Sequence, residues 1–458
     1  MSLRSFLLDA KHTTRSGFVW NTMSSGLYAL QSLVMLIVTQ RVLGQNTAGI
    51  LAIGQAIAFL LGCVGTFGVA RFQASDVKHR FTFAEYVTAR AGTIAAMWLI
   101  GAIVLALRHT AYGDVKVTVI ALMTLLKTVD VMDDVVFGFF QQRGRIDIGA
   151  RQTTIRYSTT LVAFVIAVIA THNLVISLVI ALVAGLCAFG LLISQTLPGF
   201  VTDDERQHHW RDTAKLLTAC LPLFVAWFLS SYINNAPKYA IDAVADDATQ
   251  AIYGFLVTPA FVVSLIAQFM FNPLIFHYST AWVAGRTQEL RRRMWRMLAA
   301  IFGIGLATCL IGYFIGLPVL SWIYGLDLRR YLAIFMVLLA AGTTTAVSMF
   351  LYTVLTIMRQ QATLAIGYAT VSVVALFGGK PLVRGYGLMG AAGLYIGLTG
   401  ILSVAFLLIA LIKMATASPA SPTPLPSQDS RQNGEPSPTP TQQVTPEQQQ
   451  CHGQPQTG

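Results

Sequence analysis

Charge is what this chain has least of: only 11% of its 458 residues are Asp, Glu, Lys or Arg, against about a quarter in a soluble domain. Together with 55% hydrophobic residues and a mean hydropathy of +0.63, this excludes an aqueous globular fold. Cysteine is scarce too. Cys63, Cys187, Cys220, Cys309 and Cys451 stand singly, so neither a disulfide framework nor a zinc site is expected. There is no His-Glu-x-x-His pair, no Gly-rich phosphate loop ending in Lys-Ser/Thr and no Ser-centred elbow. These absences argue against ATP hydrolysis and against a built-in peptidase. The interleaved arginines and aromatics of a nucleic-acid surface are missing as well, so the net charge of +11 needs another origin.

What the chain does have is apolar length. Roughly a dozen stretches, each long enough to cross a bilayer, run from about residue 17 to about residue 413. Spans are expected at 17–40, 47–70, 84–107, 115–140, 150–171, 174–196, 213–234, 250–275, 295–319, 331–357, 362–379 and 386–413. The first is too long for a signal-peptide core and lacks a small-residue cleavage site, so it reads as a retained span. Alternate connections carry twenty Lys and Arg on one side and eight on the other. The asymmetry explains the net charge and predicts that the richer side, with both termini, is cytoplasmic. Residues 415–458 are rich in Pro, Ser, Thr and Gln and are expected to form a disordered cytoplasmic tail, having too little apolar surface to offset the entropy of ordering.

A faint internal repeat divides the membrane region. TQRVLGQNTAGILAI after the first span and NAPKYAIDAVADDATQAIYGFLV after the seventh both pass from an apolar helix through a basic residue, Arg41 or Lys238, to a short polar loop and a new helix. Transporters are often built from two such halves with a site at their interface. The halves are read as 1–200 and 201–414.

At these residues the chain resembles a polysaccharide flippase of the Wzx type, within the multidrug/oligosaccharidyl-lipid/polysaccharide (MOP) exporter superfamily. The resemblance runs from about residue 15 to about residue 412 and rests on five segments in order: SGFVWNTMSSGLYALQSLVMLIVTQRVLGQNTAGILAIGQAIAF, FGFFQQRGRIDIGARQTTIR, YINNAPKYAID, TPAFVVSLIAQFMFNPLIF and GLPVLSWIYGLDLRRY. It implies an all-α integral membrane protein with about twelve transmembrane helices in two six-helix lobes around a central cavity. It further implies alternating access that moves an undecaprenyl-diphosphate-linked oligosaccharide across the bacterial cytoplasmic membrane for surface polysaccharide biosynthesis. The partners expected are that lipid-linked oligosaccharide, membrane lipids, Na+ or H+ as a coupling ion, and the machinery that polymerises the exported sugar. No cofactor, catalytic residue or nucleic acid is expected. An ion-coupled exporter of small molecules from the same superfamily is the first alternative, and a polytopic polysaccharide polymerase or ligase the second.

The polar groups inside the spans are the candidate substrate contacts. In the fourth span Lys127, Asp130 and Asp134 fall within about 60° on a helical wheel. Charges at that depth need a partner or water, so this face should turn to the cavity, as a substrate or ion contact or as a salt bridge that locks the bundle. Arg90, one and a half turns into the third span, either snorkels to the interface or faces the cavity and forks a diphosphate. Arg156, at the start of the fifth span, serves topology and could also line the inner vestibule. Asn21 and Gln31 on the first span, Tyr232, Asn234 and Asn235 on the seventh, and Lys238 just beyond it complete the expected set. Amides offer both donors and acceptors to a sugar, and a tyrosine ring offers it a face. Arg90 and Lys127 are the only basic residues expected well inside a span.

Overall fold

The computed structural model describes residues 3–8, 13–76, 79–271 and 274–416. The tail from residue 417 onward lies outside the described residues. Every regular element among those described is helical.

Among the described residues, ten helices are long and apolar enough to cross a membrane, and two of them are double. The first half holds α1 (Leu3–Leu8), α2 (Thr13–Leu43), α3 (Gln45–Thr66), α4 (Val69–Ser75), α5 (Phe83–Gln142), α6 (Ile146–Thr171) and α7 (Leu174–Thr196). The second holds α8 (Trp210–Val244), α9 (Asp247–Phe271), α10 (Ile275–Val283), α11 (Thr287–Ile311), α12 (Leu317–Tyr324), α13 (Leu332–Ile357) and α14 (Gln361–Thr416). At 60 residues, a straight α5 would be about 90 Å long, roughly three times the hydrocarbon thickness. It is broken at Gly113 (φ 67°, ψ 166°), and the 56-residue α14 is broken at Gly387 (φ 57°, ψ −135°). Such backbone is essentially reserved for glycine. Each of these helices therefore makes two spans, while α11 and α12 join through a π turn at Gly312–Gly316 into one. Twelve spans result.

Most observed spans fall within about five residues of the expected ones; the ninth begins eight residues early, at Thr287, the eleventh runs on to the break at Gly387, and the seventh differs most instructively. The seventh, expected to end at residue 234, runs to Val244. The run Asn-Asn-Ala-Pro-Lys resembles a helix end, but in a bilayer the helix passes through a proline because neighbouring groups compensate for its missing N–H. Lys238 is therefore inside a span, not in a connection.

Helix starts follow ordinary capping chemistry. Thr82 and Glu85 form a reciprocal capping box on α5, and Asn173 Oδ1 accepts the Ile176 N–H on α7 at 3.1 Å. Asp246, in the connection before α9, accepts the Thr249 N–H at 3.0 Å. The Thr249 hydrogen bonds hold its carboxyl below the usual range.

In the first lobe α3 lies along α5, α2 along α6, and α6 along α7; in the second, α13 lies along α14, α14 along α8, and α13 along α9. Second-lobe helices approach closely through small and hydroxyl residues. Gly342 sits against the Ala260 backbone, Ser264 donates to Gly342 O at 3.2 Å, and Thr345 donates to Tyr395 at 3.1 Å. Such packing replaces the hydrophobic drive that lipid removes. Large apolar side chains such as Leu107, Phe314 and Phe377 point outward, as lipid-facing residues do. An even span number brings both ends of the described chain to one face, here called the terminal face. At the opposite face one residue joins α2 to α3, and two residues each join α6 to α7 and α8 to α9.

Candidate functional site

Between the lobes lie two adjoining cavities of about 440 Å³ and about 420 Å³. They share Tyr28, Phe59, Lys127, Asp130 and Trp227, which form a waist. The second cavity reaches the terminal face through Asn21, Gly68 and Arg71; the first continues inward to Gln31, Gln55, Asn234, Asn235 and Lys238.

The fourth span supplies the charges of the waist. Lys127 donates to Tyr28 Oη at 2.9 Å and to Asp130 Oδ2 at 3.1 Å, and its ammonium lies over the rings of Tyr28 and Phe59. The other oxygen of Asp130 takes Arg156 Nη1 at 2.9 Å, while Arg156 Nε donates to Asp133 Oδ2 at 3.1 Å. Gln152 buttresses Asp133 at 3.4 Å and is itself held by Thr196 at 3.3 Å. Lysine, aspartate, arginine and aspartate thus alternate in one chain, each charge answered by its neighbour. Arg156, expected mainly as a topology residue, is buried within this chain and lines the inner cavity. Among the described residues its Nη2 has no hydrogen-bond partner.

Arg90 is placed differently. Its guanidinium donates to Asp134 Oδ2 at 2.7 Å and to the Gly65 carbonyl at 2.6 Å, the same carbonyl that takes Thr93 Oγ1 at 2.7 Å. It is buried among helices α3 and α5, outside the residues that line either cavity. Asp134 lines the second cavity with one carboxylate oxygen already claimed by Arg90.

The first and seventh spans line the facing walls. Asn21, Tyr28 and Gln31 all reach the cavities from α2, and Ser32 donates to Gln55 Oε1 of α3 at 2.8 Å. From α8 come Ser230, Ser231, Asn234, Asn235 and Lys238, one face at helical spacing. Each Asn uses an amide N–H on its own helix, Asn234 to Ser230 O at 2.9 Å and Asn235 to Ser231 O at 3.1 Å. Tyr232 is off this face. It stacks on Tyr239 with ring centroids 5.9 Å apart and does not line the cavity.

Lys238 has no carboxylate within 4.0 Å among the described residues; its ammonium approaches only the Phe261 ring, 5.9 Å from the centroid. Arg71, at the terminal mouth, is in the same condition and lies over the Trp227 ring at 4.3 Å. Sequence reasoning missed Arg71, Gln55, Phe59, Trp227 and Gln268 as lining residues. Gln55 and Gln268 carry a usable signal, a polar amide in mid-span. The aromatics carry none, since they look like any lipid-facing or core residue.

Away from the cavities, Glu85, His209 and Asp212 bring one ligand atom each within 4.8 Å of one another. Glu85 already caps α5 and Asp212 pairs with Lys215 at 2.7 Å, so these groups are occupied at helix ends. Cys63, Cys187, Cys220 and Cys309 are free thiols.

The family model for polysaccharide biosynthesis protein matches residues 15–279. No curated protein matches the sequence. Among solved structures, a Vibrio cholerae MATE transporter in its bent form is similar at TM-score 0.56 and 15% identity, covering 90% of this chain and 97% of that one. An inward-facing multidrug resistance MATE family transporter of the MOP superfamily is similar at TM-score 0.54 and 14% identity, covering 91% and 95%. A MOP superfamily transporter from Pyrococcus furiosus, described as having a binding pocket of reverse polarity, is similar at TM-score 0.53 and 12% identity, covering 91% and 98%. At these identities the likeness is one of fold.

Proposed function

Because the chain belongs to the polysaccharide biosynthesis protein family and is a transporter of the MOP superfamily, we propose that it flips an oligosaccharide linked to a polyprenyl diphosphate. Translocation runs from the inner to the outer leaflet of a bacterial cytoplasmic membrane, with both termini cytoplasmic, as the excess of Lys and Arg on the terminal face favours.

One observation carries this reading. Among the described residues, the cavity carboxylates Asp130, Asp133 and Asp134 are each paired with a cation, whereas Lys238 lines the cavity with no carboxylate within 4.0 Å, and Arg71 at the mouth acts on Asp134 only from beyond that distance. The unanswered charge is positive. A diphosphate at the bilayer centre has a prohibitive desolvation cost unless a cation or water meets it. Arg71 at the mouth and Lys238 at depth provide two such stations along one path. Lys127 lies between them with Asp130 moderating its charge, so an anion can pass the waist without being trapped. Arg90 acts one layer out, holding Asp134 and the α3 backbone in place.

The sugars have their own surface. Tyr28, Phe59 and Trp227 form the waist with ring faces against which a pyranose packs, and Gln31, Gln55, Asn234, Asn235 and Gln268 supply paired donors and acceptors. The hydrocarbon tail remains in lipid outside the lobes. An exporter of organic cations needs the opposite balance, a free carboxylate facing the substrate. The test is complementation of a flippase-null strain with a panel of defined lipid-linked oligosaccharides. Restored surface polysaccharide with at least one of them supports the proposal. Failure with all of them, together with resistance to cationic drugs, assigns the chain to small-molecule export.

A further inference from the structure

The face opposite the termini is sealed by direct contact between the lobes. A close backbone approach lies at Gly49 of α3, where a Cβ would lie 1.7 Å from the Asp247 carbonyl oxygen at the start of α9. The obstacle is backbone, so no rotamer change relieves it. Ala48 and Ala52, beside Gly49, pack into one core with Ala251 of α9. Around this seam polar groups tie one lobe to the other. Lys116, just past the Gly113 break, places its ammonium 2.7 Å from Asp242 Oδ1 and 2.6 Å from Asp247 Oδ1. Tyr112, just before the break, donates to Asp242 Oδ2 at 2.5 Å. Gln45 donates to Ala248 O at 3.0 Å, Tyr239 to Ala56 O at 2.9 Å, and Arg41 to the carbonyls of Trp322 and Ile323. The floor of the cavity rests on this layer: Ala56 and Lys238 line the inner cavity, and Tyr239 and Asp242 follow Lys238 along α8.

We infer that Gly49 and the group formed by Tyr112, Lys116, Asp242 and Asp247 are an interlobe clasp, which holds this face shut and parts in each transport cycle. Resting on the transporter reading above, the inference names where the second opening forms. The first lobe contributes the ammonium and the phenol, the second contributes both carboxylates, so separation divides the charges by lobe. The clasp is well suited to reversal. Its carboxylates outnumber its ammonium, and its flanking hydrogen bonds run to backbone carbonyls that water can serve instead. Gly49 sets how tightly the face closes, because any side chain there holds α3 off α9.

The test reads accessibility and not sugar export, so it stands apart from the substrate assignment. In full-length protein with its native cysteines replaced, Ala251→Cys places one thiol in the seam, where Ala251 is fully buried. Purified in detergent, this thiol should react slowly with a bulky maleimide. Adding Lys116→Glu, which sets three carboxylates together, or Gly49→Leu should raise the rate by about tenfold or more, as expected when a two-state balance shifts toward the open form. The exchange Lys116→Asp with Asp247→Lys should return it toward the starting value. Gly49→Ala, the milder wedge, gives an intermediate rate and serves if Gly49→Leu does not fold. Unchanged labelling in folded Lys116→Glu and Gly49→Ala proteins would overturn the inference. So would an exchange variant no less reactive than Lys116→Glu alone.

Discussion

Replacing Lys238 by methionine keeps the length and apolar stem of the side chain and deletes one charge that no carboxylate answers. Two effects follow, and their signs differ. Toward substrate, an ammonium about 4 Å from a phosphate charge contributes about 4 kcal/mol at an effective dielectric near 20, while the net worth of a charged hydrogen bond is about 1.5–3 kcal/mol. Affinity of the cavity for the diphosphate should therefore fall by about 10-fold to 700-fold, at tenfold per 1.4 kcal/mol. Toward folding the change is neutral or favourable, since an unpaired cation is removed from the membrane interior. Surface polysaccharide measured in a flippase-null strain should drop steeply, while the detergent melting temperature stays level or rises. Lys238→Arg should retain most export, and Lys238→Glu should abolish it. Export at the wild-type rate from a folded Lys238→Met protein would refute the diphosphate assignment. A marked drop in melting temperature would show instead that Lys238 holds the fold together.

Other expectations separate structural charges from transport charges. Arg156→Ala or Asp133→Ala should each lower stability by about 3–5 kcal/mol, because one member of a buried pair is left alone; thermal unfolding in detergent checks this. Arg90→Ala should lose export mainly through reduced folded protein, seen as a lower melting temperature. Lys127→Arg should be tolerated better than Lys127→Ala, since the charge between Tyr28 and Asp130 is retained; export normalised to membrane protein measures the difference. A cysteine at position 292 should resist impermeant reagents applied outside intact cells, and labelling there would reverse the assigned orientation.

Much of the fold could be read from hydropathy alone, because a bilayer admits few alternatives to apolar helices of fixed length. What could not be read was the pairing among the polar groups. Lys127 and Asp130 are three residues apart on one helix, so helical geometry brings them together. Arg90 and Asp134 meet from different spans, and Arg156 reaches Asp133 from a third; no local spacing encodes those contacts. Lys238 was misplaced because asparagines and a proline end a helix in water, where each exposed backbone group has solvent to bind. In the membrane that rule weakens, and the same polar run becomes the lining of a cavity. Tyr232 shows the converse, a promising residue type one helical step away from the useful face.

The two broken helices have a consequence for which substitutions the chain can survive. A methyl group at Gly113 or Gly387 would meet no atom of the described residues within 4 Å beyond its immediate chain neighbours. By crowding alone they are among the most permissive sites in the protein. Yet each is where the chain turns back into the bilayer, and every later span takes its direction from that reversal. If Gly113 were drawn into helical geometry, all that follows it would be inverted across the membrane, charged connections included. A side chain there carries a penalty that no neighbour imposes. Vacant space around a residue is thus a poor guide to tolerance where one pair of dihedral angles sets the sidedness of everything downstream.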